Sequence, residues 1–405
     1  MIGVAVLGYG TVGSGVVEVF RMNQEKMDRC AGDQVRIKYV LDLRDFPEDP
    51  VQDLIVHDFE KIVSDDSVDI VVEVMGGLEP AYTYVRRSLE AGKNVVTSNK
   101  ALVAAHGAEL LKIAQEHNVN YLFEASVGGG IPIIRPLVAS LTADEIEEIT
   151  GILNGTTNYM MTKMFYEGAD YDAVLKEAQD NGFAERNPEA DVEGMDACRK
   201  IAILSSIVSG KQVDFREIYT EGITKITVPD MRYAKKMNAV IKLLAEMKRD
   251  GKKIEAIVAP FLLPSEHPLA SVNGVFNAIF VHGNALGDAM FYGSGAGKMP
   301  TASAVAADIV EAAKYRSQTI CEYWTEEHLE LESQKDVRRK FFVRMSGKAE
   351  DYAERIQNAF GSVTFINAEG YDGEFGFITE VMKEGEYEAA AAKFENMIHM
   401  IRVAS

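Results

Sequence analysis

Residues 2–13, IGVAVLGYGTVG, set the architecture of the first part of the chain. Ile2–Leu7 is a short apolar run of strand-forming residues, and Gly8, Gly10 and Gly13 follow in G-x-G-x-x-G spacing with Thr11 and Val12 between them. The next residues, SGVVEVFRMNQEKM, place apolar side chains at helical spacing. A strand, this glycine pattern and then a helix form the context in which the motif carries meaning. The glycines permit a tight turn and let backbone N–H groups approach a pyrophosphate at the positive end of a helix. The stretch predicts a doubly wound α/β domain holding NAD or NADP.

The following residues repeat that alternation. A second strand, Val35–Leu41, ends in Asp42-Leu43-Arg44-Asp45. An acid there receives ribose hydroxyls and favours NAD, whereas a nearby arginine accommodates the extra phosphate of NADP; Asp42 and Arg44 leave both open. Val68–Val74 and Asn94–Thr97 read as further strands, a helical pattern covers 104–118, and Tyr121–Glu124 reads as another strand. Strands alternating with helices predict a parallel sheet. Ligands of such sheets sit beyond the carboxyl ends of the strands, where Gly76, Ser98 and Lys100 stand.

Glu124–Ile134, EASVGGGIPII, then brings three glycines and a proline to a strand end. Bare backbone there can approach a ligand closely, and its carbonyls together with the Glu124 carboxylate suit a hard cation; a plain structural turn is the other reading. From Glu148 the pattern changes to a strand, a polar turn at Asn154-Gly155-Thr156-Thr157-Asn158, and a helix capped by Thr or Asn. Mixed strand and helix periods up to Tyr292 predict an α+β domain with a mostly antiparallel sheet. The glycine-rich loop 293–300 opens a long helix, TASAVAADIVEAAKY, which returns the chain to the nucleotide domain.

The acid-rich stretch 181–200, NGFAERNPEADVEGMDACRK, holds Glu185, Glu189, Asp191, Glu193 and Asp196 before Lys200. The sequence turns helical from about Val192 and continues through IAILSSIVSG, with Gly210 as the stop. Asp196 and Lys200, four apart, then share one helix face with the acid on the N-terminal side, the favoured order for an ion pair. A solvated acidic loop before an amphipathic helix is the plain alternative.

Composition narrows the function. A chain of 405 residues predicts two or three domains, and 47% hydrophobic with 26% charged residues is ordinary for a globular protein. The net charge of −20 argues against nucleic acid and against an anionic membrane surface. Cys30, Cys198 and Cys321 form no CxxC pair, no apolar run reaches membrane-spanning length, and no charged-then-apolar leader precedes the first strand. The expectation is a reduced cytoplasmic protein. The seven histidines show no metal-ligand spacing.

Six segments in this order resemble homoserine dehydrogenases across residues 1 to about 320: GYGTVGSGV, NVVTSNKAL, EASVGGGIPII, GILNGTTNYM, GFAERNPEADVEGMDACRK and GSGAGKMPTASAVAADIV. The resemblance implies NAD(P)-dependent interconversion of L-aspartate 4-semialdehyde and L-homoserine. It implies that Lys200 and Lys100 are the active-site lysines, with Asp196 orienting a lysine and Asp191 binding substrate. It further implies that Glu185 holds the substrate ammonium, that Gly155 and Thr156 contact the substrate, and that Gly297 contacts the cofactor. Glu124, Val127, Gly129 and Ile131 match a sodium or potassium site, three of them through backbone carbonyls, and a homodimer is implied through the middle sheet. Another amino-acid or semialdehyde dehydrogenase, or a nucleotide-sensing protein that has lost catalysis, is the rival reading; intact Lys100, Glu185, Asp196 and Lys200 argue against the latter.

The expected domains are 1–131 completed by 297–318, binding NAD(P); 132–296, binding substrate; a linker, 319–337; and 338–405. The hydride would cross the cleft between the first two. The last segment reads strand, helix, strand, strand, helix, strand, the ferredoxin-like order. It resembles the ACT domain of many homoserine dehydrogenases, which implies an amino-acid effector, typically threonine. It departs from that pattern after the first strand, where Met345-Ser346-Gly347-Lys348-Ala349-Glu350 replaces the expected Asp-x-Pro-Gly loop. An effector sensor and a purely structural or oligomerising tail are therefore both open.

Overall fold

A computed structural model describes residues 1–320, 323–367 and 373–404, so Cys321 and Glu322 of the expected linker, and residues 368–372 of the expected tail domain, lie outside the described residues. The chain forms two compact units. One comprises Met1–Glu145, Ala202–Phe215 and Asn284–Leu329; the other comprises Ile146–Ile201, Arg216–Gly283 and Glu330–Ser405. Among the described residues no helix is long and apolar enough to cross a membrane.

The first unit is built on six parallel strands: β1 (Ile2–Leu7), β2 (Val35–Leu41), β3 (Ile55–Val56), β4 (Ile70–Glu73), β5 (Asn94–Thr97) and β6 (Tyr121–Leu122). Their order, β3-β2-β1-β4-β5-β6, reverses direction at β1, as in dinucleotide-binding sheets. Every residue of β1 is buried, which explains its unbroken apolar run: a parallel strand covered on both faces has no polar side. The helix α1 (Thr11–Ala31) follows β1, α2 (Ala81–Glu90) precedes β5, and α3 (Lys100–Glu116) follows it. The long helix Lys298–Lys314 lies against α1, where a Cβ on Gly15 would stand 2.9 Å from the Ala302 Cβ. The final expected strand is shorter than its sequence pattern, because the chain leaves β6 for a single 3-10 turn, Glu124–Ser126.

Residues read as a charged linker are tied down in this unit. Trp324 is buried, and its indole N–H donates to Gln212 Oε1 at 2.9 Å. A short strand, Thr325–His328, pairs with Lys211–Gln212.

The second unit has a sheet made of two halves. One half comprises β7 (Ile146–Ile152), β8 (Ala239–Asp250), β9 (Lys253–Pro264) and β10 (Phe276–Gly283), joined antiparallel in the order β10-β7-β8-β9. Its core includes Leu244, Ile257, Phe261, Leu263 and Leu269. The helix α4 (Gly155–Glu167) follows β7 directly. The helix expected from Val192 to Gly210 is interrupted: Glu189–Val192 makes one turn, and α5 (Met195–Ser209) starts afresh. Gly194 is the break, in the left-handed conformation at φ 83°, with Thr220 and Val258 side-chain carbons 3.1 and 3.2 Å from where its Cβ would be.

The other half is the tail: β11 (Arg338–Ser346), α6 (Ala349–Phe360), β12 (Val363–Ile366), β13 (Glu374–Thr379), α7 (Glu384–Ala391) and β14 (Met397–Val403). This is the expected βαββαβ order, with antiparallel strands arranged β14-β11-β13-β12 around Phe341, Ile356, Phe360, Phe375 and Phe377. The tail is not a free appendage. β14 pairs in parallel with β9, Arg402 opposite Phe261 and Val403 opposite Leu262, so the two halves share one sheet. Pairing satisfies the backbone groups that an open edge of β9 would present.

Candidate active site

In the first unit, the residues singled out by sequence gather at the carboxyl ends of β1, β2, β4 and β5. Gly8 adopts φ 101°, and a Cβ on Gly13 would stand 1.9 Å from the Gly8 carbonyl oxygen, so the turn closes only with glycine at both places. Gly10 caps α1 without any side-chain bond to the helix N–H groups, and a Cβ there would meet nothing within 4 Å. Thr11 and Val12 start the helix. Bare N–H groups at a helix start facing open space fit a pyrophosphate.

Asp42 accepts from the Tyr9 N–H at 2.9 Å and from Arg44 Nε at 2.9 Å. Hydrogen bonds from the Arg44 guanidinium hold its carboxyl well below the usual carboxylate range, against the opposing effect of burial. The pair places a carboxylate and a cation together at the end of β2, where an adenosine ribose would lie.

Glu73, fully buried at the end of β4, was missed by sequence reasoning. Its carboxylate accepts from the backbone N–H groups of Met75 and Gly76 at 2.8 and 3.2 Å and from the Thr97 hydroxyl at 2.7 Å. Thr97 Oγ1 accepts from Asn99 N at 2.9 Å, and the Asn99 side chain caps α3 through Leu102 N at 3.2 Å. This relay fixes Gly76, Ser98 and Lys100, the last half-buried as the first residue of α3. An acid inside the apolar run VDIVVEV was the available signal.

Glu124 ties down the segment that follows it. The Glu124 carboxylate accepts from the backbone N–H groups of Ile133, Ile134 and Arg135 at 2.6, 2.9 and 2.7 Å. Its side chain thereby holds the chain that follows the glycines. Among the described residues no cluster of three or more His, Cys, Asp or Glu could hold a metal. The glycines serve close packing: Cβ atoms on Gly129 and Gly130 would stand 2.5 Å from the Gly295 oxygen and 2.6 Å from Pro300. Gly297 caps the helix Lys298–Lys314.

In the second unit, the polar turn and the acid-rich stretch come together. Lys200 Nζ donates to Asp196 Oδ2 and to the Leu153 carbonyl, both at 2.7 Å. Asn154 Nδ2 donates to Asp191 Oδ1 at 2.7 Å and to Asp196 Oδ2 at 2.9 Å. Asn154 also caps α4, its Oδ1 accepting from Thr157 N at 2.9 Å. One asparagine therefore ties the start of α4 to both acids. Its place in the turn was visible in sequence, but its bridging role was not.

Lys200 and Asp196 are 8% and 6% exposed, so the ammonium and its partner are largely withdrawn from water. Asp196 stands in the first turn of α5, where the helix dipole favours a carboxylate. Gly155 begins α4, and a Cβ on it would lie 2.7 Å from the Val275 oxygen. The Thr156 hydroxyl donates to the Phe183 carbonyl at 2.6 Å, leaving its oxygen able to accept. Glu185 is exposed in the loop after Phe183. Cys198 is buried within α5. A shielded ammonium beside a carboxylate and an amide can stabilise negative charge on a substrate oxygen and move a proton to it.

The description "Homoserine dehydrogenase, NAD binding domain" fits residues 8–124, and "Homoserine dehydrogenase" fits residues 132–310. A homoserine dehydrogenase of Bacillus subtilis (strain 168) is 46% identical over 314 residues, covering 77% of this chain and 72% of the relative. The crystal structure of one from Thiobacillus denitrificans superposes with a TM-score of 0.92 at 36% identity, over 100% of this chain and 98% of that one. A hyperthermophilic archaeal homoserine dehydrogenase in complex with NADPH gives a TM-score of 0.65 at 27% identity, over 77% of this chain and 97% of that one. Sequence likeness through both the nucleotide half and the Lys200 half, and structural likeness through the tail, agree with the site: the chain belongs to the homoserine dehydrogenase family.

Proposed function

We propose that the chain performs its family's reaction, NAD(P)-dependent interconversion of L-aspartate 4-semialdehyde and L-homoserine, with Lys200 serving the reacting oxygen. The observation that carries this reading is the buried Lys200 ammonium, 2.7 Å from Asp196 Oδ2 and 2.7 Å from the Leu153 carbonyl, beside the start of α4. Bound NAD(P)H supplies the hydride that reduces the aldehyde carbon. As that carbon gains the hydride its oxygen becomes an alkoxide, and Lys200 stabilises the charge and supplies the proton. Asp196 and Asn154 orient the lysine. The exposed Glu185 takes the substrate ammonium, Asp191 binds substrate, and Gly155 and Thr156 contact the substrate. Lys100, at the positive end of α3, binds substrate or relays the proton.

Gly8, Gly10, Thr11, Val12, Gly13, Gly76, Ser98, Lys100 and Gly297 contact the cofactor in this reading, and the Asp42–Arg44 pair sets the choice between NAD and NADP. A sodium or potassium ion would be held by Glu124 together with the Val127, Gly129 and Ile131 carbonyls; turnover indifferent to replacing both ions by a bulky organic cation would refute that site. The tail is proposed as an ACT-like module, and a flat response of activity to threonine up to millimolar concentration would leave it a structural role. Dimerisation through the middle sheet and residence in the cytoplasm complete the proposal. The inactive-sensor alternative has no observation in its favour. Assay with L-aspartate 4-semialdehyde and each of NADH and NADPH tests the function, and no oxidation of either cofactor would refute it.

A further inference from the structure

Where the tail meets the rest of its unit, three buried arginines each bind two carboxylates. Arg339 takes Glu246 and Glu255, and Arg344 takes Asp230 and Glu374. Arg402, on the last strand, binds Glu384 of α7 through two nitrogens and donates to Glu221 Oε2 at 2.7 Å. Its guanidinium also stacks on the Tyr219 ring, 4.7 Å from the centroid. At 1% exposure, this charge stays favourable only while its carboxylates remain in place.

Glu221 belongs to a segment that reaches the acid-rich loop. Tyr219 and Thr220 pair with Ile257 and Val258 of β9, and Glu221 N donates to the Val258 carbonyl at 2.8 Å. The next residue, Gly222, lies so close to the loop that a Cβ would stand 2.1 Å from the Val192 oxygen. Ile223 N donates to that same oxygen at 2.8 Å. Val192 follows Asp191, which is bonded to Asn154 and through it to Asp196 and Lys200. β9 thus carries both the segment 219–220 and the tail strand β14, and Arg402 connects them through side chains.

We infer that Glu221 is a positioning residue for the substrate end of the site: clamped by Arg402 of the tail, it fixes the Gly222–Ile223 backbone on which Val192, and with it Asp191, is seated. The inference rests on the assignment of Asp191 to substrate binding given above. It makes the tail part of what shapes the site, independently of any effector. The route is short and uses a side-chain ion pair, a glycine contact and a backbone hydrogen bond.

The test is steady-state kinetics of the full chain bearing Glu221→Gln, with Glu374→Gln as the control that loosens a different tail fastening. Glu221→Gln is expected to raise KM for L-aspartate 4-semialdehyde about tenfold, the effect of losing ~1.4 kcal/mol of binding, while KM for NADPH stays within about twofold. Glu374→Gln is expected to lower the unfolding temperature without raising the semialdehyde KM. An unchanged semialdehyde KM in Glu221→Gln, or equal rises in both variants, would overturn the inference. If Glu221→Gln does not fold, Arg402→Lys supplies the second arm by hydrogen exchange: the Ile223 amide should exchange faster than in the wild type, and unchanged exchange there would overturn the coupling. A wild-type chain without turnover would refute the functional reading, and the exchange measurement would still decide the coupling.

Discussion

Replacing Lys200 with alanine removes a group bonded at 2.7 Å to Asp196 and at 2.7 Å to the Leu153 carbonyl. Loss of one preorganised donor to a developing oxyanion slows turnover by about 10²–10³, and loss of a positioned acid by about 10²–10⁴. One side chain supplies both effects, so they overlap and do not multiply. We expect kcat to fall by about 10³–10⁴, or ~4–5.5 kcal/mol of barrier. Stability should suffer less: Asp196 keeps the Asn154 amide at 2.9 Å and its place at the start of α5. The loss should therefore stay below the ~3–5 kcal/mol typical of an abandoned buried partner. Lys200→Arg gives a second measurement. Its guanidinium keeps charge and donors but does not release a proton, so its turnover should lie between wild type and alanine. The assay is NADPH oxidation at saturating semialdehyde, with NADPH binding measured separately by fluorescence. An alanine variant within tenfold of wild-type kcat, or one whose defect lies wholly in NADPH binding, would refute the assignment.

Further outcomes follow from other parts of the structure. Arg44→Ala should raise KM for NADPH about tenfold more than KM for NADH, because the freed Asp42 carboxylate repels a 2′-phosphate; equal effects on both cofactors would show that the pair does not select between them. Gly13→Ala would put a Cβ 1.9 Å from the Gly8 oxygen, so cofactor binding should weaken by at least about tenfold, and a normal KM for NAD(P)H would refute the cradle. Lys242 is buried among the Asn158 and Asn273 side chains and the Val272 carbonyl, and burial pushes its pKa down from 10.5 to about 7. The unfolded chain then binds the extra proton between pH 7 and 10.5, so this group makes the fold more stable as pH rises through that window, by at most ~5 kcal/mol. Thermal unfolding of Lys242→Met against wild type should show the wild type gaining relative stability from pH 7 to pH 10, and a difference independent of pH would refute this.

The nucleotide half was legible because its information is local. Unbroken apolar strands, turn glycines and a helix start at fixed spacing occur in one contiguous stretch, and physical chemistry allows few other uses for them. The ion pair of Asp196 and Lys200 was legible for the same reason, since helix geometry alone brings residues four apart together. The break at Gly194 was less so, because the close approach of Thr220 and Val258 that accompanies it comes from distant segments.

Local pattern alone was enough for the two kinds of sheet, for the order of elements in the tail and for the nucleotide-binding turn. The partners of the buried polar groups came from the folded arrangement. The Glu124 oxygens accept three backbone N–H groups nine to eleven residues onward, partners that no local pattern shows. Glu73 and Asn154 join elements far apart in the chain, and their partners were invisible until the strand ends were brought together. The tail read as a separate module, but its last strand completes the edge of β9 and its arginines find carboxylates as many as 181 residues away. Backbone periodicity and turn chemistry are written in neighbouring residues, whereas the satisfaction of buried charge depends on which distant groups the fold delivers to it.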